Sequence, residues 1–221
     1  MVTETRSDLK IVGTTTSAGG NFNDIKVTGE CQFTGDVDCK KLKLTGNASI
    51  FGSLRTEKMK ITGEVVIEGS LEGSSVSGQG EIKASSVRAD QLDLNGNLEV
   101  NGDCVGEKLE ISGATSVAGL LSAEHLEISL FGPSRAKEVG GSNIIIRRSK
   151  KGKLLHLMKP NLISFEAGLI EGDTVELNYT KADVVRGQRV IIGADCEIGT
   201  VEYREFLEIH KNATVKHQIK I

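Results

Sequence analysis

A five-residue phrase returns at nearly fixed intervals along the first half of the chain. It reads I-K-V-T-G at Ile25–Gly29, L-K-L-T-G at Leu42–Gly46 and M-K-I-T-G at Met59–Gly63. It comes back as L-D-L-N-G at Leu92–Gly96 and L-E-I-S-G at Leu109–Gly113. V-S-G-Q-G at Val76–Gly80 is a degraded copy, and L-E-I-S-L at Leu126–Leu130 closes the series without its glycine. The starts at 25, 42, 59, 76, 92, 109 and 126 are 17 residues apart, with one step of 16. An earlier copy, L-K-I-V-G at Leu9–Gly13, precedes Ile25 by 16. A short fixed period means like units stacked on one another.

The pattern within one unit limits what that unit can be. Apolar–polar–apolar alternation marks a strand with every second side chain on one face. The glycine that follows suits a turn that needs positive φ. Such a short unit cannot hold a strand, a crossover helix and two loops. It can hold three short strands and three bends, which is one coil of a parallel β-helix. Neighbouring coils then pair strand on strand at about 4.8 Å, in a quasi-one-dimensional solenoid.

Aligned at this period, the sequence separates into columns. Val37, Leu54, Leu71, Val87, Cys104 and Leu121 form an apolar column. So do Cys31, Ala48, Val65, Ile82, Leu98 and Thr115, apart from the last, and Phe33, Ile50, Ile67, Ala84, Val100 and Val117. Lys41, Lys58, Ser75, Gln91, Lys108 and His125 form a polar column. The fold expected is all-β: a parallel β-helix with about 17 residues per coil, in two blocks. Composition agrees, because narrow coils need glycine at their corners and have little room for rings. The chain has 26 Gly, no Trp and 4% aromatic residues.

Four segments are expected: a flexible tail over 1–8, a first β-helix block over 9–130, a basic excursion over 131–164 and a second block over 165–221. F-G-P-S-R at Phe131–Arg135 breaks the pattern. From Phe131 to Pro160 there are eight Lys or Arg against the single acid Glu138. Within this stretch, Ile144–Met158 reads as a hairpin around a Lys-Lys-Gly turn. Arg147, Arg148, Lys150, Lys151 and Lys153 would be its docking residues, for a membrane surface or an acidic partner. In the second block Val175 and Ile192, Val184 and Val201, Val190 and Leu207, Ile192 and Ile209, Cys196 and Ala213, and Ile198 and Val215 are each 17 apart.

The chemistry expected is slight. A net charge of −3 gives no general attraction to nucleic acid, and none is expected as a partner. No signal-peptide core or membrane-length apolar run stands in the sequence. The location expected is the cytoplasm, free or at the membrane surface. The four cysteines read as reduced core or isolated residues, with no metal-ligand spacing. No cofactor, metal, small-molecule substrate or catalytic residue is expected. The alternative is a hexapeptide-repeat-like acyltransferase, for which I-G-A-D-C-E-I-G-T at Ile192–Thr200 imitates two hexads. Its one candidate base is His156, but the first block does not repeat at 18.

The short coils and the apolar-x-apolar-x-Gly phrase resemble the bactofilins, polymer-forming bacterial cytoskeletal proteins. Gly168–Leu177 and Val185–Tyr203 look like the longer members found in Firmicutes-type bacteria. The resemblance implies a right-handed parallel β-helix, in agreement with the handedness rule for parallel crossovers. It also implies self-assembly without nucleotide into filaments or sheets, with itself or a paralogue, recruiting morphogenesis or motility partners. Solenoid ends also present unpaired backbone groups. End contacts are expected at Leu9, Ile11 and Phe22, and at Leu207, Ile209, Val215, Ile219 and Ile221. Lateral contacts are expected along one outward column that changes sign: Lys26, Lys43, Lys60, then Asp93, Glu110 and Glu127.

Overall fold

The computed structural model describes residues 6–149 and 163–221. Its strands are β1 (Ser7–Ser17), β2 (Gly20–Phe33), β3 (Val37–Ile50), β4 (Leu54–Val100) and β5 (Cys104–Leu130). There follow β6 (Ser134–Arg148), β7 (Phe165–Leu177), β8 (Thr180–Ile192), β9 (Glu197–Ile209) and β10 (Thr214–Lys220). They form one sheet in sequence order, with each strand parallel to its neighbours. Strands such as β4, 47 residues long, wind through successive coils rather than running straight. The result is a β-solenoid.

The coil from Val37 to Ser53 shows how sequence becomes cross-section. Val37 and Cys39, Leu42 and Leu44, and Ala48 and Ile50 point inward from three sides and are buried. Lys41, Lys43 and Thr45 alternate outward and are exposed. The three inward columns named from the sequence are buried throughout, from Val37 to Leu121, Cys31 to Thr115 and Phe33 to Val117. The core is therefore a continuous stack, each side chain resting on the equivalent one a coil away.

One corner is held by glycine in successive coils. Gly29, Gly46 and Gly63 have φ of 123°, 116° and 132°. Their register, Gly13↔Gly29↔Gly46↔Gly63, superposes the corners. A Cβ on Gly46 or Gly63 would collide with the carbonyl oxygen of the glycine one coil earlier. The glycine of the repeated phrase thus serves close stacking as well as backbone conformation.

The expected excursion is different from the structure over its first half. β6 lies between β5 and β7 in the same ladder, with Leu126↔Ile144↔Val175 in register. Ile144 and Ile146 are fully buried, a position that the arm of a surface hairpin would not give them. They reach the core because the step from Leu126 to Ile144 is 18, outside the period read from the sequence. The two blocks consequently share one sheet. The second arm of the expected hairpin, with Lys150, Lys151, Lys153 and His156, lies outside the described residues.

Coil length also varies beyond Phe165. Val190↔Leu207, Ile192↔Ile209 and Ile198↔Val215 keep the expected step of 17. Val175, however, pairs with Val190, a step of 15, and Val184 pairs with Thr200. The corner between β7 and β8 is only Asn178 and Tyr179, and Tyr179 takes φ 55° to close it. A shorter corner brings the next strand into register early.

Candidate functional site: the outward columns and the end coils

Because side chains alternate along each strand, the outward residues of successive coils line up as straight columns. Lys10, Lys26, Lys43 and Lys60 occupy four successive coils of one column, in direct register. Lys41 and Lys58 stand beside them in the neighbouring outward column. All six are exposed. Among the described residues, none of the six has a carboxylate partner. The structure adds Lys10 to the column that begins at Lys26 in the sequence reading. Its signal was present in L-K-I-V-G, the earliest copy of the phrase.

Farther along, the same column becomes acidic, with Asp93↔Glu110 in register and Glu127 in the following coil. Here the carboxylates have intrachain partners. Lys108 Nζ lies 3.0 Å from Glu110 Oε1, and Arg147 Nη2 pairs with Glu127 Oε1. His125 stands next to Glu127 on the strand, and its Nδ1 lies 3.1 Å from Asn143 Nδ2. Glu110, His125 and Glu127 offer three ligand atoms within 4.8 Å of one another, a geometry that could hold a divalent cation. Lys108 and Arg147 already offset the charge that such an ion would neutralise. Sequence reasoning left this cluster out, because it joins residues of two coils.

Two other outward columns follow an opposite rule. Arg135↔Glu166↔Lys181↔Glu197 alternates in sign from coil to coil. Lys181 Nζ and Glu197 Oε1 are 3.2 Å apart. Glu171↔Arg186↔Glu202 alternates too. Arg186 reaches Glu171 Oε2 at 2.9 Å and Glu202 Oε2 at 2.6 Å. These carboxylates hold the Arg186 guanidinium pKa up, the Glu202 hydrogen bond contributing most.

The end coils separate the expected end-contact residues into two groups. Leu9, Phe22, Leu207, Ile209 and Val215 are half-buried against the core, and Ile11 is buried. Ile219 and Ile221 are 45% and 53% exposed. Ile219 stands opposite Glu202, on the outside of the coil. The inward place opposite Val201 belongs instead to Gln218. At the other end, Thr15 and Ser17 stand opposite Cys31 and Phe33. Polar residues thus terminate three apolar columns.

Of the five expected docking residues, the two described ones are structurally engaged. Arg147 is tied to Glu127 as above. Arg148 lies over the Tyr179 ring at 3.6 Å, and its Nε donates to the Ile163 carbonyl at 3.1 Å. The four cysteines are free and buried. Burial pushes the Cys104 thiol up to about 12 and the Cys196 thiol up to about 11. Such thiols are held protonated and unreactive at neutral pH. Among the described residues no helix is long and apolar enough to cross a membrane.

The chain is similar to two proteins of Bacillus subtilis (strain 168). It is 42% identical over 108 residues to the uncharacterized protein YhbE, and 37% identical over 110 residues to the uncharacterized protein YhbF. The matches cover 48% and 47% of this chain. The chain spans less than half the length of these curated relatives, 44% and 42%. No family model matches the chain, and no solved structure does.

Proposed function

We propose that this chain is a structural scaffold that self-assembles without nucleotide into filaments or sheets, in the manner of the bactofilins it resembles. The observation that supports this reading is the uninterrupted parallel ladder from β1 to β10. Each coil offers the next the same edge of N–H and C=O groups, and in the end coils Leu9, Phe22, Leu207, Ile209 and Val215 still bring half-buried apolar side chains to it. A coil from another copy can therefore continue the ladder with no new chemistry. Leu207, Ile209 and Val215 would form one side of that junction, and Leu9, Ile11 and Phe22 the other. Ile219 and Ile221 sit beside it, where they would meet the partner's surface. The natural partner is a second copy of this chain or a paralogue of the same coil length. Recruitment of morphogenesis or motility proteins, in the cytoplasm or at the membrane, would then use the outward columns. This reading assigns the chain no catalysis.

Electron microscopy of purified protein in nucleotide-free buffer tests it. Wild-type protein should form filaments or sheets. A chain carrying Leu207→Lys and Ile209→Lys should give single short rods with an unchanged strand signal by circular dichroism. Discrete trimers, or monomers at every concentration of the wild type, would remove the scaffold reading.

A further inference from the structure

The segregated column runs against what the rest of the molecule does with charge. Where Arg135, Glu166, Lys181 and Glu197 share a column, sign alternates and each charge meets its opposite a coil away. Glu171, Arg186 and Glu202 do the same, with ion pairs at 2.9 and 2.6 Å. By contrast, Lys10, Lys26, Lys43 and Lys60 stack like on like, at about 4.8 Å per coil. Asp93, Glu110 and Glu127 then stack as acids. In an isolated rod this order is repulsive along the lysine half, whereas Lys108 and Arg147 already offset Glu110 and Glu127 in the acidic half. It becomes attractive only against a surface with the reverse order.

That surface exists on a second copy of the same chain turned end for end. We propose that two copies pair antiparallel along this face, about a twofold axis through the coil of Ser77. Lys60, Lys43 and Lys26 of one copy then meet Asp93, Glu110 and Glu127 of the other. The positions match coil for coil, one, two and three coils to either side of Ser77. This deepens the scaffold reading by supplying its lateral contact.

The flanking columns fit the same operation, which keeps each column opposite itself. On one side Thr62, Thr45 and Thr28 face Asn95, Ser112 and Ser129, all short and polar, so the two faces can approach closely. On the other side Asp24 faces His125 and Lys58 faces Gln91. Lys41 faces Lys108, the one like-charge pair, and Lys108 is already drawn to Glu110 at 3.0 Å. A parallel pair in register would set lysine on lysine along the whole first half, so the column also rejects that arrangement. The contact is isologous, and the resulting pair has no polarity.

Charge exchange between chains tests the pairing. One variant carries Lys43→Glu and Lys60→Glu, the other Glu110→Lys and Asp93→Lys. At low salt each alone should lose lateral pairing in sedimentation velocity. An equimolar mixture should pair again, since each now complements the other, and this recovery also shows that both fold. A second arm mixes a Lys43→Cys chain with a Glu110→Cys chain under mild oxidation. The native thiols are buried, so the added ones report the geometry. The mixed disulfide should form at least tenfold faster than either like pair, and slow in 0.5 M salt as screening sets in. A mixture that pairs no better than either variant, or a dominant Lys43→Cys like pair, overturns the proposal. If rods still elongate in that case, lateral pairing alone fails. Cross-linked pairs without elongation would instead remove the end-to-end reading.

Discussion

Gly63 lies directly over the carbonyl of Gly46, one coil away, with no room for a Cβ between them. Gly13, at the same corner of the first coil, has a similar φ of 94° but open space around it. Gly63→Ala should therefore lower stability by about 3 kcal/mol or more, from strain and collision together. Gly13→Ala should lower it by only about 1 kcal/mol, from the left-handed backbone alone. Thermal melts of both variants separate the two contributions. Equal losses would mean that stacking does not limit this corner.

The inward columns carry a prediction of each sign. Leu71 is fully buried, and Leu71→Lys leaves a charge between coils with no partner. The expected loss is about 4 kcal/mol or more. Thr115 is buried in the column of Leu98, and its Oγ1 has no hydrogen-bond partner. Thr115→Val keeps the shape and removes that orphan hydroxyl, so stability should rise by about 1 kcal/mol. Chemical denaturation midpoints check both, and an unchanged Leu71→Lys protein would refute the column.

Thiol chemistry provides a pH signature. Burial raises the pKa of all four cysteines, that of Cys39 partly offset by its hydrogen bond to Thr56. A raised folded pKa means that the unfolded chain loses the thiol proton first as pH rises. The stabilisation is thus complete below the ordinary thiol value near 9.0 and is lost as pH climbs toward about 12 at Cys104. Stability should fall over that window, and less so in a Cys104→Ala/Cys196→Ala chain compared with its own value at pH 7. At pH 8, iodoacetamide should label none of the four without unfolding; rapid labelling of Cys31 and Cys104 in folded protein would contradict their core positions.

Membrane docking by the basic segment needs a variant set chosen from the structure. Arg148 holds Tyr179 and the Ile163 carbonyl, so Arg148→Gln should cost about 1 kcal/mol of stability. Arg147, Lys150, Lys151 and Lys153 are the set to neutralise, each contributing about 1 kcal/mol near an anionic surface. Their replacement by Gln should abolish sedimentation with phosphatidylserine vesicles and leave polymers intact. Wild-type protein that ignores such vesicles at low salt would exclude lipid as its partner.

Much of the architecture was legible because two periodicities act at once. Alternation along each strand and repetition from coil to coil by themselves place Val37, Leu54 and Leu71 inside. The same arithmetic put Lys43 outside, between Lys26 and Lys60. It failed where corners change length. The strand of Ile144 and Ile146 looked like part of an excursion, because an 18-residue step leaves the period. Val175 was matched with Ile192 instead of Val190, because the Asn178–Tyr179 corner is short.

By itself, the sequence determined the solenoid, its inward and outward columns, its glycine corner and the sign reversal along one face. These follow from local alternation repeated at a regular interval, which the stretch from Ile25 to Leu130 displays. Only the tertiary structure decided the register beyond Leu130, the single sheet joining both halves, and the meeting of Glu110, His125 and Glu127. It also placed Ile219 on the surface and Gln218 over the core. Those features depend on which hydrogen-bonded ladder closes after each corner. That choice is made by backbone pairing and packing between consecutive coils, and the residues of the corner alone do not encode it.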